Sequence, residues 1–142
     1  MNIFHNHKSY IDLNNPQKEA VNNLNGPLLV LSGAGTGKTR VLTARLANLL
    51  YSNTTKPWKV LAVTFTNKAA KEMRTRLEEL IGPMANSVWL GTFHSIGARI
   101  LRENAELIGL NFNYTIISTD DQARLLKQIM LTEDVDIKKY TP

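Results

Sequence analysis

Short apolar runs alternate with amphipathic stretches along most of this chain, and the alternation predicts strands and helices in turn. Asn14 followed by Asn15-Pro16 reads as a helix start, with an Asn cap and a Pro where a missing N–H costs nothing. That helix should run to about Leu24 and stop at Asn25-Gly26-Pro27. Leu28-Leu29-Val30-Leu31 is a continuous apolar run of strand length, as expected for a strand covered on both faces. Lys38 to Tyr51 predicts a helix that is apolar over most of its circumference and therefore largely buried. A second strand is predicted over Lys59 to Phe65. A helix capped by Asn67 follows, with Ala70, Met73, Leu77, Leu80 and Ile81 on one face and a stop at Gly82-Pro83. Ser87 to Leu90 reads as a third strand, and Phe93 to about Ile108 as a further amphipathic helix stopped at Gly109.

Strand, loop, helix and strand in succession make a βαβ unit, which requires a parallel pair and a right-handed crossover. The repetition predicts an α/β domain with a mostly parallel sheet flanked by helices. The last third differs. Thr119-Asp120-Asp121-Gln122 reads as a capping box ahead of an apolar stripe at Leu125, Leu126, Ile129 and Met130, with no clear strand after it. The expected division is an α/β core over residues 1–110 and the start of a helical subdomain over residues 111–142.

Between the first predicted strand and its helix stands Ser32-Gly33-Ala34-Gly35-Thr36-Gly37-Lys38-Thr39. Glycines at 33, 35 and 37 open backbone angles closed to other residues, so successive N–H groups can converge on one anion. The concavity lies at a helix N-terminus, where unsatisfied amides and the helix dipole favour negative charge. In such a phosphate-binding loop Lys38 reaches the β and γ phosphates and the Thr39 hydroxyl ligates magnesium. Ser32 stands where the strict pattern has glycine. A dinucleotide fold is disfavoured, because the spacing is not G-x-G-x-x-G and Thr64-Phe65-Thr66 offers no acidic residue to a ribose. A nucleoside triphosphate with magnesium is the expected ligand. Hydrolysis would also need an apolar strand ending in an acidic residue. Ile116 to Asp121 is the one candidate, and its Asp120 and Asp121 are better explained as helix-start residues.

The composition, 43% hydrophobic and 20% charged over 142 residues, is that of a globular domain. No run approaches a transmembrane span, and Met1 to Tyr10 lacks the apolar core of a secretory signal, so a cytoplasmic setting is expected. The absence of cysteine removes disulfides and thiolate chemistry. His94 has no second ligand at metal spacing, and His5 and His7 lie in a polar terminus with no assigned role. A net charge of +5 suits a polyanionic partner without specifying one.

Four ordered segments carry a resemblance. Leu13-Asn14-Asn15-Pro16-Gln17, the glycine loop followed by Arg40, Thr64-Phe65-Thr66-Asn67-Lys68-Ala69-Ala70, and Gly91-Thr92-Phe93-His94-Ser95 stand in the order and rough spacing of one family. The chain resembles the N-terminal part of superfamily 1 DNA helicases of the UvrD/PcrA/Rep type from about Leu13 onward, including Lys138-Lys139. The resemblance implies a P-loop NTPase (RecA-like) fold and an ATP-dependent, magnesium-requiring 3′-to-5′ motor on single-stranded and duplex DNA. It implies that Gln17 bonds the adenine edge, that Arg40 lies against the adenine face, and that residues 32–39 hold the phosphates. It further implies DNA contacts from Thr64, Phe65, Thr66 and Asn67 and from Thr92, His94 and Ser95. Phe93 is assigned to the core, and Lys68 and Lys71 to a solvated helix face. The family pattern also includes an Asp-Glu motif and a second motor domain that this chain does not contain, so it is expected to be a fragment that binds nucleotide without hydrolysing it. A non-catalytic nucleotide- and DNA-binding module, or the helicase-nuclease subunit of a recombination complex, are the alternatives. A small nucleotide kinase would leave the Thr64-to-Ala70 and Gly91-to-Ser95 segments unexplained.

Overall fold

The helix following the glycine loop organises the fold in a computed structural model that describes residues 3–136, 139 and 140. The chain divides into two units, Met1–Ile100 and Leu101–Pro142. Within the first, α1 (Lys8–Ile11), α2 (Asn15–Asn22), α3 (Lys38–Tyr51) and α4 (Asn67–Ile81) accompany two strands, β1 (Leu61–Thr64) and β2 (Trp89–Thr92). Helix α5 (Phe93–Glu103) leaves β2 directly, and α6 (Thr119–Thr132) lies in the second unit. No described helix is long and apolar enough to cross a membrane.

The predicted βαβ unit forms as β1–α4–β2, with β2 two residues later than the predicted Ser87 to Leu90. Its strands pair in parallel, with Leu61 opposite Trp89 and Thr64 opposite Thr92. All five predicted apolar positions of α4 are buried, and the helix stops at Gly82, whose φ of 61° favours a residue without Cβ. Arg74 Nη2 donates to Leu90 O at 2.7 Å, tying α4 to β2. Helix α3 is buried along Val41, Ala44, Leu46, Ala47 and Leu50. Its Arg45 and Asn48 donate to Ala20 O and Val21 O at 2.8 and 3.1 Å. Those bonds satisfy carbonyls near the end of α2 that have no partner inside the helix.

Several expectations shift. Leu28–Leu31 is no strand: among the described residues the sheet is β1 and β2 alone, and Leu29 and Leu31 are 79% and 83% exposed. An apolar run specifies a wish for cover, whereas a ladder needs a neighbour in register, which no described residue supplies here. Thr66 caps α4 by accepting from Ala69 N at 3.2 Å, so Asn67 is the first helical residue. Ser118 caps α6, one position before the predicted box, and shares a reciprocal box with Asp121. Asp121 is thereby occupied as a helix-start residue, and the α6 stripe buries none of its members. The helix from Phe93 ends at Glu103, and a separate 3-10 turn, Ala105–Ile108, carries the chain to a left-handed Gly109. Lys138 lies outside the described residues.

The N-terminus holds the largest surprise. Phe4 is 1% exposed, stacked on Tyr51 with centroids 5.9 Å apart and edge-on to Tyr10. His7, read as inert, stacks on Phe4 and caps α1 by accepting from Ser9 N at 3.1 Å. Sequence pattern missed this clasp because its partner Tyr51 lies 47 residues further along the chain.

Candidate functional site

Two groups of residues gather at the ends of the elements just described. The first surrounds the glycine loop. Gly35 and Gly37 adopt φ of 75° and 90°, and Gly37 caps α3 with no side-chain bond of its own. The amides of α3's first turn therefore remain available to an anion. Thr36 Oγ1 donates to Gly33 O at 2.8 Å and fixes the turn. Lys38 Nζ folds back to donate to Ser32 O at 2.8 Å and Gly33 O at 2.5 Å. Its charge sits over the concavity, held by neutral carbonyls that a phosphate oxygen can replace with a stronger, charge-assisted bond. Thr39 and Arg40 follow in the same turn, with Ala34 at the exposed crown of the loop.

Gln17 reaches this loop from α2. Its Oε1 accepts from Asn14 N at 3.0 Å, closing a capping box, while its Nε2 donates to Thr36 O at 3.1 Å. A carboxamide has two donors and two acceptor lone pairs, so one of each remains. Gly37 lies beside this bond, where a Cβ would stand a tight 3.3 Å from Gln17 Nε2. Gln17 and Arg40 flank this glycine. Arg40 also meets Asp12, at 3.7 Å, across a partly exposed pair. A cavity of about 180 Å³ joins Asn14, Gln17, Ser32, Thr36 and Lys38. No acidic residue lines it, and among the described residues no three His, Cys, Asp or Glu cluster as metal ligands.

The second group stands at the carboxyl ends of β1 and β2. Thr64 Oγ1 donates to Thr66 O at 3.0 Å, Thr66 caps α4, and Asn67 and Lys68 are exposed in its first turn. Thr92 is 7% exposed and bonded reciprocally to Ser95: Thr92 N donates to Ser95 Oγ at 2.9 Å, and Ser95 N to Thr92 Oγ1 at 3.2 Å. The hydroxyl of Thr92 is thus turned inward as a helix cap, leaving His94 and Ser95 as the exposed polar residues of that segment. Gly91 permits the turn, because a Cβ there would fall 2.6 Å from Ser95 Oγ.

Phe93 is not a core residue. It is 55% exposed, and its ring lies against Phe65, which is 90% exposed, with centroids 5.5 Å apart and planes inclined by 49°. The register explains the meeting: Thr64 pairs with Thr92, so the next residue of each strand leaves the sheet side by side. The signal was present in the sequence as Thr-Phe repeated at the end of two successive strands of one βαβ unit.

Comparison with known proteins bears on both groups. Residues 13–142 match a family described as UvrD/REP helicase N-terminal domain. The chain is 49% identical over 131 residues to a protein of Staphylococcus epidermidis named ATP-dependent DNA helicase PcrA, covering 92% of this chain and 18% of that protein. It is 48% identical over all 142 residues to the Staphylococcus aureus protein of the same name, covering 19% of its length. The chain therefore spans about a fifth of the curated relatives it matches.

Proposed function

Because the chain belongs to the UvrD/REP helicase N-terminal domain family, we propose that it is the ATP-binding and strand-contacting part of an ATP-dependent 3′-to-5′ DNA motor. The observation that carries the reading is the glycine loop at the open N-terminus of α3, with Lys38 folded over it. In this reading the loop, residues 32–37, receives the triphosphate on its amides and Lys38 leaves Ser32 O and Gly33 O for phosphate oxygens. Gln17 presents its unused donor and acceptor to the adenine edge, and Arg40 lies against the base. Magnesium fits the donor set as one hydroxyl, from Thr39, completed by phosphate oxygens and water, which is how this ion is commonly held beside a nucleotide. When bound, the ion would neutralise charge between the phosphates.

Exposed aromatic and polar residues beyond β1 and β2 fit a single strand, since ligands collect at the carboxyl ends of parallel strands. Thr64, Phe65, Thr66, Asn67, His94 and Ser95 are the contacts we assign, with Thr92 shaping the turn that holds His94. A cytoplasmic setting goes with this reading. The same geometry favours a second, narrower statement for the 142 residues themselves: binding without turnover. The cavities beside Lys38 carry no carboxylate, and Asp121 is committed to its capping box.

The test uses ATP binding to the chain and ATPase turnover of a full-length protein containing it, with and without single-stranded DNA. We expect binding by the chain, DNA-stimulated turnover by the longer protein, and loss of both on Lys38→Ala. Turnover indifferent to DNA, or surviving Lys38→Ala, refutes the motor. Hydrolysis by the isolated chain refutes the narrower statement.

A further inference from the structure

Residues 4–12 form a strap that runs along α3 against the direction of that helix, ahead of residues 13–142 that match the helicase family. Phe4 is buried against Tyr51, the last residue of α3, and Asp12 meets Arg40 in its first turn. Those two anchor points stand eleven positions apart, about 16 Å of helix at a rise of about 1.5 Å per residue. Between them Tyr10 packs edge-on to Phe4, and its hydroxyl accepts from Asn22 Nδ2 of α2 at 2.8 Å. The backbone of Asp12 is fixed as well, its N–H donating to Lys8 O at 3.0 Å to close α1. That helix gives no reason for an acid there, because the helix dipole opposes a negative side chain at a carboxyl end. Arg40 supplies the reason. Asp12 Oδ2 lies 3.7 Å from Arg40 Nη2, and among the described residues no other acidic side chain pairs with this arginine.

We propose that Asp12 is a positioning residue for Arg40, holding the guanidinium by its edge so that its flat face is presented to the nucleotide base. The role rests on the reading that Arg40 lies against the base, and it adds the group that orients that arginine. The N–H donors of a guanidinium lie in its plane, so a carboxylate takes the edge and leaves the faces free to stack. Without a partner, Arg40 is a long, half-exposed side chain that must be ordered when the base arrives, and that ordering subtracts from the binding. Paired beforehand with a residue on an anchored strap, it is ordered already. Space for a ring lies beside it. Arg40 lines a cavity of about 390 Å³ with Ser9 of the strap, Gly37, and Arg76, Glu79 and Leu80 of α4. A carboxylate repels a triphosphate, so Asp12 helps the ligand through Arg40 and not by touching it.

The experiment measures affinities of the chain for ATP and for inorganic tripolyphosphate, which has no base, by competition against a labelled nucleotide. Their ratio isolates the base contact. An exposed pair changes an equilibrium by at most about fivefold, so Asp12→Asn should lower the ratio of ATP to tripolyphosphate affinity about 2- to 5-fold. Charge alone predicts otherwise, since removing an acid near a polyanion tightens both ligands together and leaves the ratio unmoved. Asp12→Glu keeps a carboxylate and should return most of the ratio. In molar salt, where the pair is screened, Asp12→Asn and the unaltered chain should match. Arg40→Lys keeps the charge without the planar face, so it should lower the ratio, and Asp12→Asn should lower it no further in that background. A ratio unmoved by Asp12→Asn, no recovery with Asp12→Glu, a fall that persists in molar salt, or a full further fall on top of Arg40→Lys overturns the positioning role. A ratio unmoved by Arg40→Lys itself refutes the reading of Arg40 against the base, and the positioning role falls with it.

Discussion

Gln17 is asked to do two things, and its substitution separates them. Inside the protein its amide takes Asn14 N on the oxygen and gives one hydrogen to Thr36 O, at 3.0 and 3.1 Å. Held by that edge, it offers one donor and one acceptor outward, the complement of the N7 and N6 groups of adenine. Gln17→Ala removes both sets of bonds. An inorganic tripolyphosphate, which has no base, should register only the loosened loop, a neutral hydrogen bond worth about 0.5–1.5 kcal/mol. ATP should register in addition a bidentate contact worth about 1–3 kcal/mol, so its affinity should fall roughly 5- to 150-fold further. Gln17→Glu sharpens the test, because a carboxylate can still accept from Asn14 N but has no hydrogen for Thr36 O or for N7 of adenine. That variant should lose the tie to Thr36 O as Gln17→Ala does, and still lose ATP more than tripolyphosphate. Competition of ATP and tripolyphosphate against a labelled nucleotide provides both affinities. Equal losses for the two ligands would leave Gln17 a loop tie only and refute its base-reading role.

The aromatic clasp and the arginine beside the loop give two further expectations. Phe4→Ala empties a site 1% exposed and stacked on Tyr51, so unfolding in urea should show a loss of about 3–5 kcal/mol; a loss below about 1 kcal/mol would mean the N-terminal segment is not docked as described. Asp12→Ala removes the partner of Arg40 from a pair 3.7 Å apart and about half exposed, which is worth at most about 1 kcal/mol and should vanish in molar salt. A larger, salt-independent loss measured by thermal melting would contradict that geometry.

Local signals in the sequence carried far. The helix start at Asn14-Asn15-Pro16, the glycine stop at Gly82 and the buried face of α4 are set by residues within a few positions of each other, and each forms in the predicted place, with Asn14 the capping residue and Thr66 and Ser118 moving their caps by one residue. The glycine loop was equally legible, since Gly35 and Gly37 need only their own freedom to adopt left-handed angles. What escaped was non-local. Phe93 follows a strand and precedes an apolar helix position, Ile96, so a core assignment was natural from neighbours alone. Only the pairing of Thr64 with Thr92, 28 residues apart in the numbering, brings Phe65 to it. Phe4 likewise owes its burial to Tyr51, across the whole of α2 and α3.

Leu28–Leu31 marks the limit of pattern most sharply, and it can be weighed by mutation. Four successive apolar residues read as a strand with both faces covered, in which truncating a leucine costs about 2–5 kcal/mol. Here Leu29 and Leu31 are 79% and 83% exposed, with no ladder partner among the described residues. Surface changes of this kind usually move stability by no more than about 0.5 kcal/mol. Leu29→Ser combined with Leu31→Ser should therefore leave the urea midpoint of the chain almost unshifted. The same change should raise solubility, because it removes two exposed leucines from an apolar surface patch. A midpoint lowered by the equivalent of several kcal/mol would show that these leucines are buried in solution and refute their exposure.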